Sequence, residues 1–235
     1  MNSSATMEGR RATDARDASV SRRRRRLRRV AKRGLDVTVA ASLLLVLSPA
    51  LAAIAAAIAV ERRAPVIYAD ERVGRKRRLF RMYKFGTMHA GAQQLRQELL
   101  CAAAQPNHPF MIASDPRVTR VGAFLRSTSL DELPQLLNVL RGDMSLVGPR
   151  PLLQDDLSHA LEHTHHWQTL RASVRPGLTG RWQIRTRYQV EPSHDQMMAD
   201  DCEYVLARSL RRDAAILVRT PIAMLAPLLA SRRRR

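Results

Sequence analysis

The sequence predicts a mostly helical α+β domain held on a membrane by an N-terminal apolar helix. Three observations carry that prediction. Residues 37–60, VTVAASLLLVLSPALAAIAAAIAV, contain no charge. The chain has 40 Lys plus Arg against 21 Asp plus Glu, a formal charge of +19, with dense basic blocks on both sides of that stretch. Beyond it, a β-prone alternating stretch gives way to segments with helical spacing. A chain of 235 residues suffices for one well-packed domain with appendages and is too short for two large ones.

Residues 1–21 are polar and small with scattered Arg and Asp, and read as a disordered tail. Residues 22–36 form a polybasic juxtamembrane segment, with nine Lys or Arg between Ser21 and Arg33. As a straight helix, residues 37–60 would measure about 36 Å, enough to cross a hydrocarbon core of about 30 Å. A secretory signal peptide is disfavoured, because the segment is long, starts late and has strongly basic residues beyond it. Ser48-Pro49 sits near its middle, where proline removes a backbone hydrogen bond and clashes with the preceding turn. Nine more Lys or Arg follow between Arg62 and Lys84. A spanning helix would have to translocate one of these equal blocks, against the positive-inside rule. A helix broken at Ser48-Pro49 that enters and returns keeps both on one side. The re-entrant hairpin is therefore favoured over a single-pass helix and over the buried core helix of a soluble protein. Neighbouring protein and Ser48 would help satisfy the freed carbonyls.

Residues 61–230 read as the soluble domain, and residues 231–235 as a basic tail. PVIYADERVG (65–74) and RRLFRMYKFGTM (77–88) predict two strands of a hairpin turning near Gly74, with Leu79, Met82 and Phe85 opposed to Arg81 and Lys84. Residues 90–104 predict a helix ending before Pro106, and Val121–Ser127 another after the turn-like Ser114-Asp115-Pro116. Leu133, Leu136, Leu137 and Leu140 predict a helix with one buried face, stopped by Arg141-Gly142-Asp143. Residues 152–172 look helical, 175–181 look like a loop, and 195–210 and 213–229 look helical again.

The adjacent carboxylates Asp131 and Glu132 stand out in so basic a chain. Ser129-Leu130-Asp131-Glu132 matches a capping box, in which Glu132 reaches back to Ser129. Pro134 would then fall inside the helix, where its ring meets a carbonyl of the preceding turn. A helix starting at Asp131 avoids that clash and puts Asp131 at a helix N-terminus, where the dipole favours its ionised form and attracts phosphate. Neighbouring helical side chains diverge, so the pair suits separate tasks: one carboxylate at a reacting centre, the other on a hard metal ion. Gly148-Pro149-Arg150-Pro151 presents Arg150 from a stiff loop, and its planar fork suits phosphate. Cys101 and Cys202 show no metal spacing or disulfide framework and fit a reducing compartment. His159, His163, His165 and His166 lack partners at a diagnostic spacing for a transition metal.

The residues that now carry a resemblance are KRGLDV (32–37), the Ser48-Pro49 break, ERVG (71–74), YKFGTM (83–88), DPRVTRVGAFLRSTSLDELPQLLNVLRGDMSLVGPRPLL (115–153), RPGLTG (175–180) and DCEYVLARSLRRDAAIL (201–217). From about Lys32 to about Leu225 the chain resembles the bacterial sugar transferases that load a phosphosugar onto a polyprenyl phosphate, the monotopic phosphoglycosyl transferases. The resemblance implies transfer of a sugar 1-phosphate from a UDP-sugar to undecaprenyl phosphate through a covalent phosphosugar–aspartate, with release of UMP. This is an initiating step of exopolysaccharide, capsule or glycoconjugate synthesis. It makes Asp131 the nucleophile and Glu132 a ligand of Mg2+. It makes Lys84, Arg126, Arg150 and Arg187 phosphate or nucleotide contacts, and Asp201 a site acid. It places the domain on the cytoplasmic face of a bacterial inner membrane, against anionic lipid. Gly86 departs from the family, which usually carries arginine there, so that one cation is absent or supplied elsewhere. TrpGlnIleArgThrArg at 182–187 departs as well.

A nucleic-acid-binding protein is the rival class, since arginine blocks alone would serve a phosphate backbone. The 24 uncharged residues of the apolar segment and an aromatic content of 4% count against it. A non-catalytic membrane scaffold of the same fold is disfavoured by the intact Asp131-Glu132 pair. The sugar and the oligomeric state are left open.

Overall fold

The computed structural model describes residues 3–62, 64–92, 115–154, 165–185 and 194–232. Helix α1 spans Ser3–Arg62 and includes residues 3–21, whose composition predicts a disordered tail. Ala and Arg in that stretch are good helix formers and extend a helix fixed further along. The chain also stays helical through Pro49, where the sequence predicts a break. Pro49 has no N–H to offer the Leu45 carbonyl four residues back. The Ser48 hydroxyl donates to that carbonyl instead, at 2.8 Å.

Among the described residues α1 is the one helix long and apolar enough to cross a membrane, over Arg26–Arg62, and almost none of its apolar part is buried. The two ends of that part do pack, with Ala40 and Ile58 only 0% and 2% exposed. The middle stands clear, with Leu45 76% and Val46 73% exposed. Polar bonds flank both packed ends. Arg33 donates to the Val139 and Leu140 carbonyls, and the Asp36 carboxylate accepts from Ser145 Oγ and the Leu146 N–H. At the far end the Glu61 carboxylate accepts from the N–H groups of Arg120 and Val121. Both ends of the apolar stretch are thus tied to one folded body.

Strands β1 (Ile67–Val73) and β2 (Leu79–Phe85) form the expected antiparallel hairpin, with Ile67 opposite Phe85 and Val73 opposite Leu79. Met82 and Phe85 turn inward, while Leu79, at the turn end, is half exposed. The expected helix at 90–104 lies outside the described residues apart from its first few positions. Helix α2 (Arg120–Thr128) starts at Thr119, whose hydroxyl accepts from the Gly122 N–H.

Neither reading of the start of the next helix holds. Ser129 sits in the left-handed region at φ 57° and closes α2, with no capping bond from its side chain. A 3-10 turn over Leu130–Glu132 follows, and helix α3 begins only at Gln135, with Pro134 at its N-cap. Proline fits there because its fixed φ suits a helix start and its missing N–H has no helical acceptor. The buried residues of α3 are Gln135, Leu136, Asn138 and Val139, whereas Leu137 is 43% exposed. The face is turned because α3 is wedged between α1, β2 and the strand that follows it.

That strand is β3 (Ser145–Val147), paired in parallel with β4 (Gly177–Thr179) inside the stretch expected to be a loop. Three-residue strands are too short to show a period-two pattern. Helix α4 (His165–Arg171) is the described part of the helix expected at 152–172. Leu152 is extended and accepts from the Val73 N–H at 3.0 Å, so the chain there pairs with β1 instead of coiling. Helix α5 (Arg181–Arg185) precedes α6 (His194–Leu206) and α7 (Leu210–Arg232), the last two close to expectation. The main core joins Ala40, Met82, Leu136, Val139, Leu146 and Ile216 across α1, β2, α3, β3 and α7.

Asn138, 0% exposed, clamps α3 to β2 by accepting from the Tyr83 N–H at 3.0 Å and donating to the Arg81 carbonyl at 2.7 Å. Asn138→Ala strands both backbone groups and is expected to cost roughly 2–4 kcal/mol. A fall in the thermal unfolding midpoint in detergent checks this; an unchanged midpoint would remove the clamp.

Candidate active site

The 3-10 turn between α2 and α3 carries Asp131 and Glu132 together into the body, at 8% and 7% exposure. Lys84, near the end of β2, places its Nζ 3.3 Å from Glu132 Oε1. Arg126, in the last turn of α2, donates from Nε to the buried Thr87 hydroxyl at 2.8 Å. Desolvation pushes the Arg126 guanidinium below its ordinary pKa, and the charges of Asp131 and Asp115 pull it back up. It remains a cation within electrostatic reach of Asp131. Lys84, Arg126, Asp131 and Glu132, expected from the sequence, therefore form one cluster.

Gly86 lies two residues beyond Lys84. A Cβ at that position would overlap the guanidinium of Arg62, which donates to the carbonyls of Pro65 and Met88. The space a side chain would take at 86 is filled by a cation from the end of α1.

Arg150 and Asp201 belong to a second cluster. Asp201, 1% exposed, accepts from the Arg150 N–H at 3.2 Å and from Arg171 Nη2 at 2.7 Å. Arg171 also donates to the Arg150 carbonyl at 2.8 Å. Burial pushes the Asp201 carboxyl above its usual range, and the Arg171 charge opposes it. Asp201 thus grips the backbone of the Arg150 loop from beneath. The guanidinium of Arg150 stacks over Trp182 at 5.3 Å. Close backbone approach supports the loop, since Gly148 N–H donates to the Thr179 carbonyl and Gly177 N–H to that of Pro149. A Cβ on Gly177 would run into the Gly148 backbone.

The two clusters sit at opposite ends of the hairpin. Lys84 pairs with Tyr68, and the chain just past Arg150 pairs with Val73, five residues along β1. At about 3.3 Å per residue that is a separation of roughly 16 Å along the strand. Arg187 lies outside the described residues. Among the described residues no group of three or more His, Cys, Asp or Glu could hold a metal ion by itself. Sequence reasoning missed Thr87, Arg62 and Arg171. Thr87 was visible only as part of YKFGTM, and nothing local marks the other two, whose partners include Met88, 26 residues from Arg62, and Asp201, 30 residues from Arg171.

A family model described as bacterial sugar transferase matches residues 27–227, which contain both clusters and the apolar helix. The chain belongs to the bacterial sugar transferase family. Relatives in that family include the undecaprenyl-phosphate galactose phosphotransferase of Salmonella typhimurium, 39% identical over 200 residues. That match covers 83% of this chain and 40% of the relative, so the chain spans well under half of that protein's length. The exopolysaccharide production protein ExoY of Rhizobium meliloti is 40% identical over 195 residues, 81% of this chain and 84% of the relative. The UDP-glucose:undecaprenyl-phosphate glucose-1-phosphate transferase of Caulobacter vibrioides is 40% identical over 203 residues, 83% of this chain and 69% of the relative.

Asp201→Asn leaves the buried Arg171 charge uncompensated, an expected loss of about 3–5 kcal/mol. Adding Arg171→Met should recover most of it. Unfolding of the single and double variants in detergent tests the pairing, and a double variant as unstable as the single one would refute it.

Proposed function

We propose that this bacterial sugar transferase moves a sugar 1-phosphate from a UDP-sugar to undecaprenyl phosphate, releasing UMP, with Asp131 as the nucleophile. The observation that carries the reading is the pair of nearly buried carboxylates facing Lys84 and within the field of Arg126. The names of its relatives, a galactose phosphotransferase and a glucose-1-phosphate transferase acting on undecaprenyl phosphate, support it.

In the first step an Asp131 carboxylate oxygen bonds to the sugar-bearing phosphorus, and the bond to the bridging oxygen breaks, so that UMP leaves with the electron pair. In the second, an oxygen of undecaprenyl phosphate bonds to the same phosphorus and the Asp131 carboxylate departs. Splitting the displacement in two is what covalent catalysis contributes. Both entering groups are already anions and both leaving groups depart as stable anions, so the reaction asks for cations more than for a proton relay. Lys84 and Arg126 supply them at the reacting end. Arg150, held by Asp201 and Arg171 at the other end of the hairpin, suits the far portion of an extended nucleotide sugar.

Glu132 fits a ligand for Mg2+, an ion that characteristically takes one or two carboxylates and completes its shell with water and substrate phosphate. When bound there, the ion neutralises charge on the diphosphate. Lys84 steadies Glu132 for that role and keeps the neighbouring carboxylate charge from repelling the incoming phosphates.

The membrane arrangement we infer is re-entrant. Support comes from the bonds that tie both ends of the apolar stretch to one body while its middle stands exposed. The 18 helical steps from Ala40 to Ile58 would reach about 27 Å if straight; folded back, each arm reaches only about half of a hydrocarbon core of about 30 Å. Both basic blocks then face one leaflet surface, which for Lys and Arg is the cytoplasmic face of a bacterial inner membrane, rich in anionic lipid.

UMP release by the purified chain, with Mg2+ and undecaprenyl phosphate across a panel of UDP-sugars, tests the proposal. Asp131→Asn should lower the rate by at least about 10³-fold, because loss of a nucleophile removes the covalent route outright. Intact-protein mass spectrometry should show a phosphosugar adduct when the acceptor is withheld. Full activity in Asp131→Asn would overturn the assignment.

A further inference from the structure

A second cationic site lies away from the Asp131 pair. The cleft between the start of α1 and the α6–α7 junction has a volume of about 650 Å³ and shares no lining residue with either cluster's charged side chains. Eight Lys or Arg side chains and two carboxylates line it, a net +6. The two carboxylates, Asp36 and Asp213, form a closed floor at 2% and 3% exposure. Lys32 bridges them at 2.8 and 2.9 Å, Tyr204 donates to Asp213 at 2.7 Å, and Ser145 donates to Asp36 at 2.8 Å. Arg33 and Arg175 are engaged with backbone carbonyls of Val139, Leu140 and Gly142.

Five cations remain on the walls. Arg28 and Arg29 on α1, Arg75 on the hairpin turn, and Arg208 and Arg211 at the α6–α7 junction are exposed, and none pairs with a carboxylate among the described residues. Arginines from three separate parts of the chain line one cavity, where like charges repel. A multivalent anion removes that repulsion. Guanidinium forks match phosphate oxygens in pairs. The hydroxyls of Ser173 and Ser209 add donors, and the single lining aromatic, Tyr204, is buried, so the cleft offers no face on which a base could stack. Its position adds a further constraint, since Asp36 immediately precedes the first residue of the uncharged stretch.

We propose that this cleft binds an anion carrying two phosphate groups, at a site distinct from the transfer site, through Arg28, Arg29, Arg75, Arg208 and Arg211. Such an anion comes either from a lipid headgroup at the membrane surface or from a soluble diphosphate.

The test uses the full chain. Inorganic pyrophosphate is titrated by calorimetry in detergent, and co-flotation is measured with phosphatidylcholine vesicles with and without cardiolipin. Arg208→Gln/Arg211→Gln and, from the opposite wall, Arg28→Gln/Arg29→Gln remove exposed charges that pair with no carboxylate among the described residues. Each should weaken binding at least about tenfold, as loss of charge-assisted bonds to phosphate does. Arg81→Gln/Arg120→Gln removes the same charge from exposed positions outside the cleft and should leave binding within about twofold, because surface charges beyond a screening length act weakly. Loss of pyrophosphate affinity identifies a soluble diphosphate; loss confined to cardiolipin vesicles identifies the headgroup; either supports the site. Wild-type binding by both cleft variants, equal loss in the control, or no binding of either probe by the unaltered chain would overturn it.

Discussion

Much of this structure depends on where one buried carboxylate is held. Asp36 sits one residue before the apolar stretch begins, on a helix that would otherwise leave the body freely. Lys32 on its own helix, Ser145 Oγ and the Leu146 N–H on β3 surround it. Lys32 extends the link to Asp213 on α7, and Tyr204 on α6 closes it. A charge this deeply buried is stable only while every partner stays in place. The network therefore fixes the entry of the apolar helix, the strand leading to Gly148-Pro149-Arg150, and the C-terminal helix against one another.

From that anchor the two clusters follow by short, stiff connections. β3 delivers the Arg150 loop directly, and the glycine-to-glycine approach of residues 148 and 177 leaves the loop little room to shift. α3 precedes β3 and is locked on β2 by Asn138, so the turn bearing Asp131 and Glu132 is fixed relative to Lys84. The Asp131-Glu132 carboxylates and the distant Arg150 thus stand on opposite ends of one hairpin whose spacing is set by strand geometry, not by flexible loops.

Local sequence gave up those features that have a local cause. The hairpin is written in its alternation, α2 in the turn that precedes it, and the stiffness of the Arg150 loop in its flanking prolines. Asp131 and Glu132 announce themselves by standing acidic in a basic chain, whereas Lys84 and Arg126 carry no local mark beyond the family resemblance. What could not be read depended on distant partners. The turned face of α3 exists because α1 and β2 press on it from two sides, so Leu137 faces outward and Asn138 inward. β4 is three residues long and exists only because β3 lies beside it. The start of α3 departs from the sequence expectation because Ser129 adopts a left-handed conformation that no capping pattern foretells. Arg62 and Arg171 act at ranges where sequence carries no periodic signal.

The charge of the chain also divides by cause. Some basic side chains are consumed by the fold: Arg33 and Arg175 cap carbonyls, Arg171 neutralises Asp201, and Arg62 fills the space beside Gly86. Lys84 and Arg126 are committed to the carboxylate pair. Arg28, Arg29, Arg208 and Arg211 pair with no carboxylate among the described residues, and they cluster where the apolar stretch leaves the body. Net charge alone cannot separate these groups, which is why +19 is compatible with nucleic acid, lipid and phosphorylated substrate alike. Geometry separates them, because a cation already bonded to a buried carbonyl or carboxylate cannot also neutralise an external anion without breaking the contact that holds it.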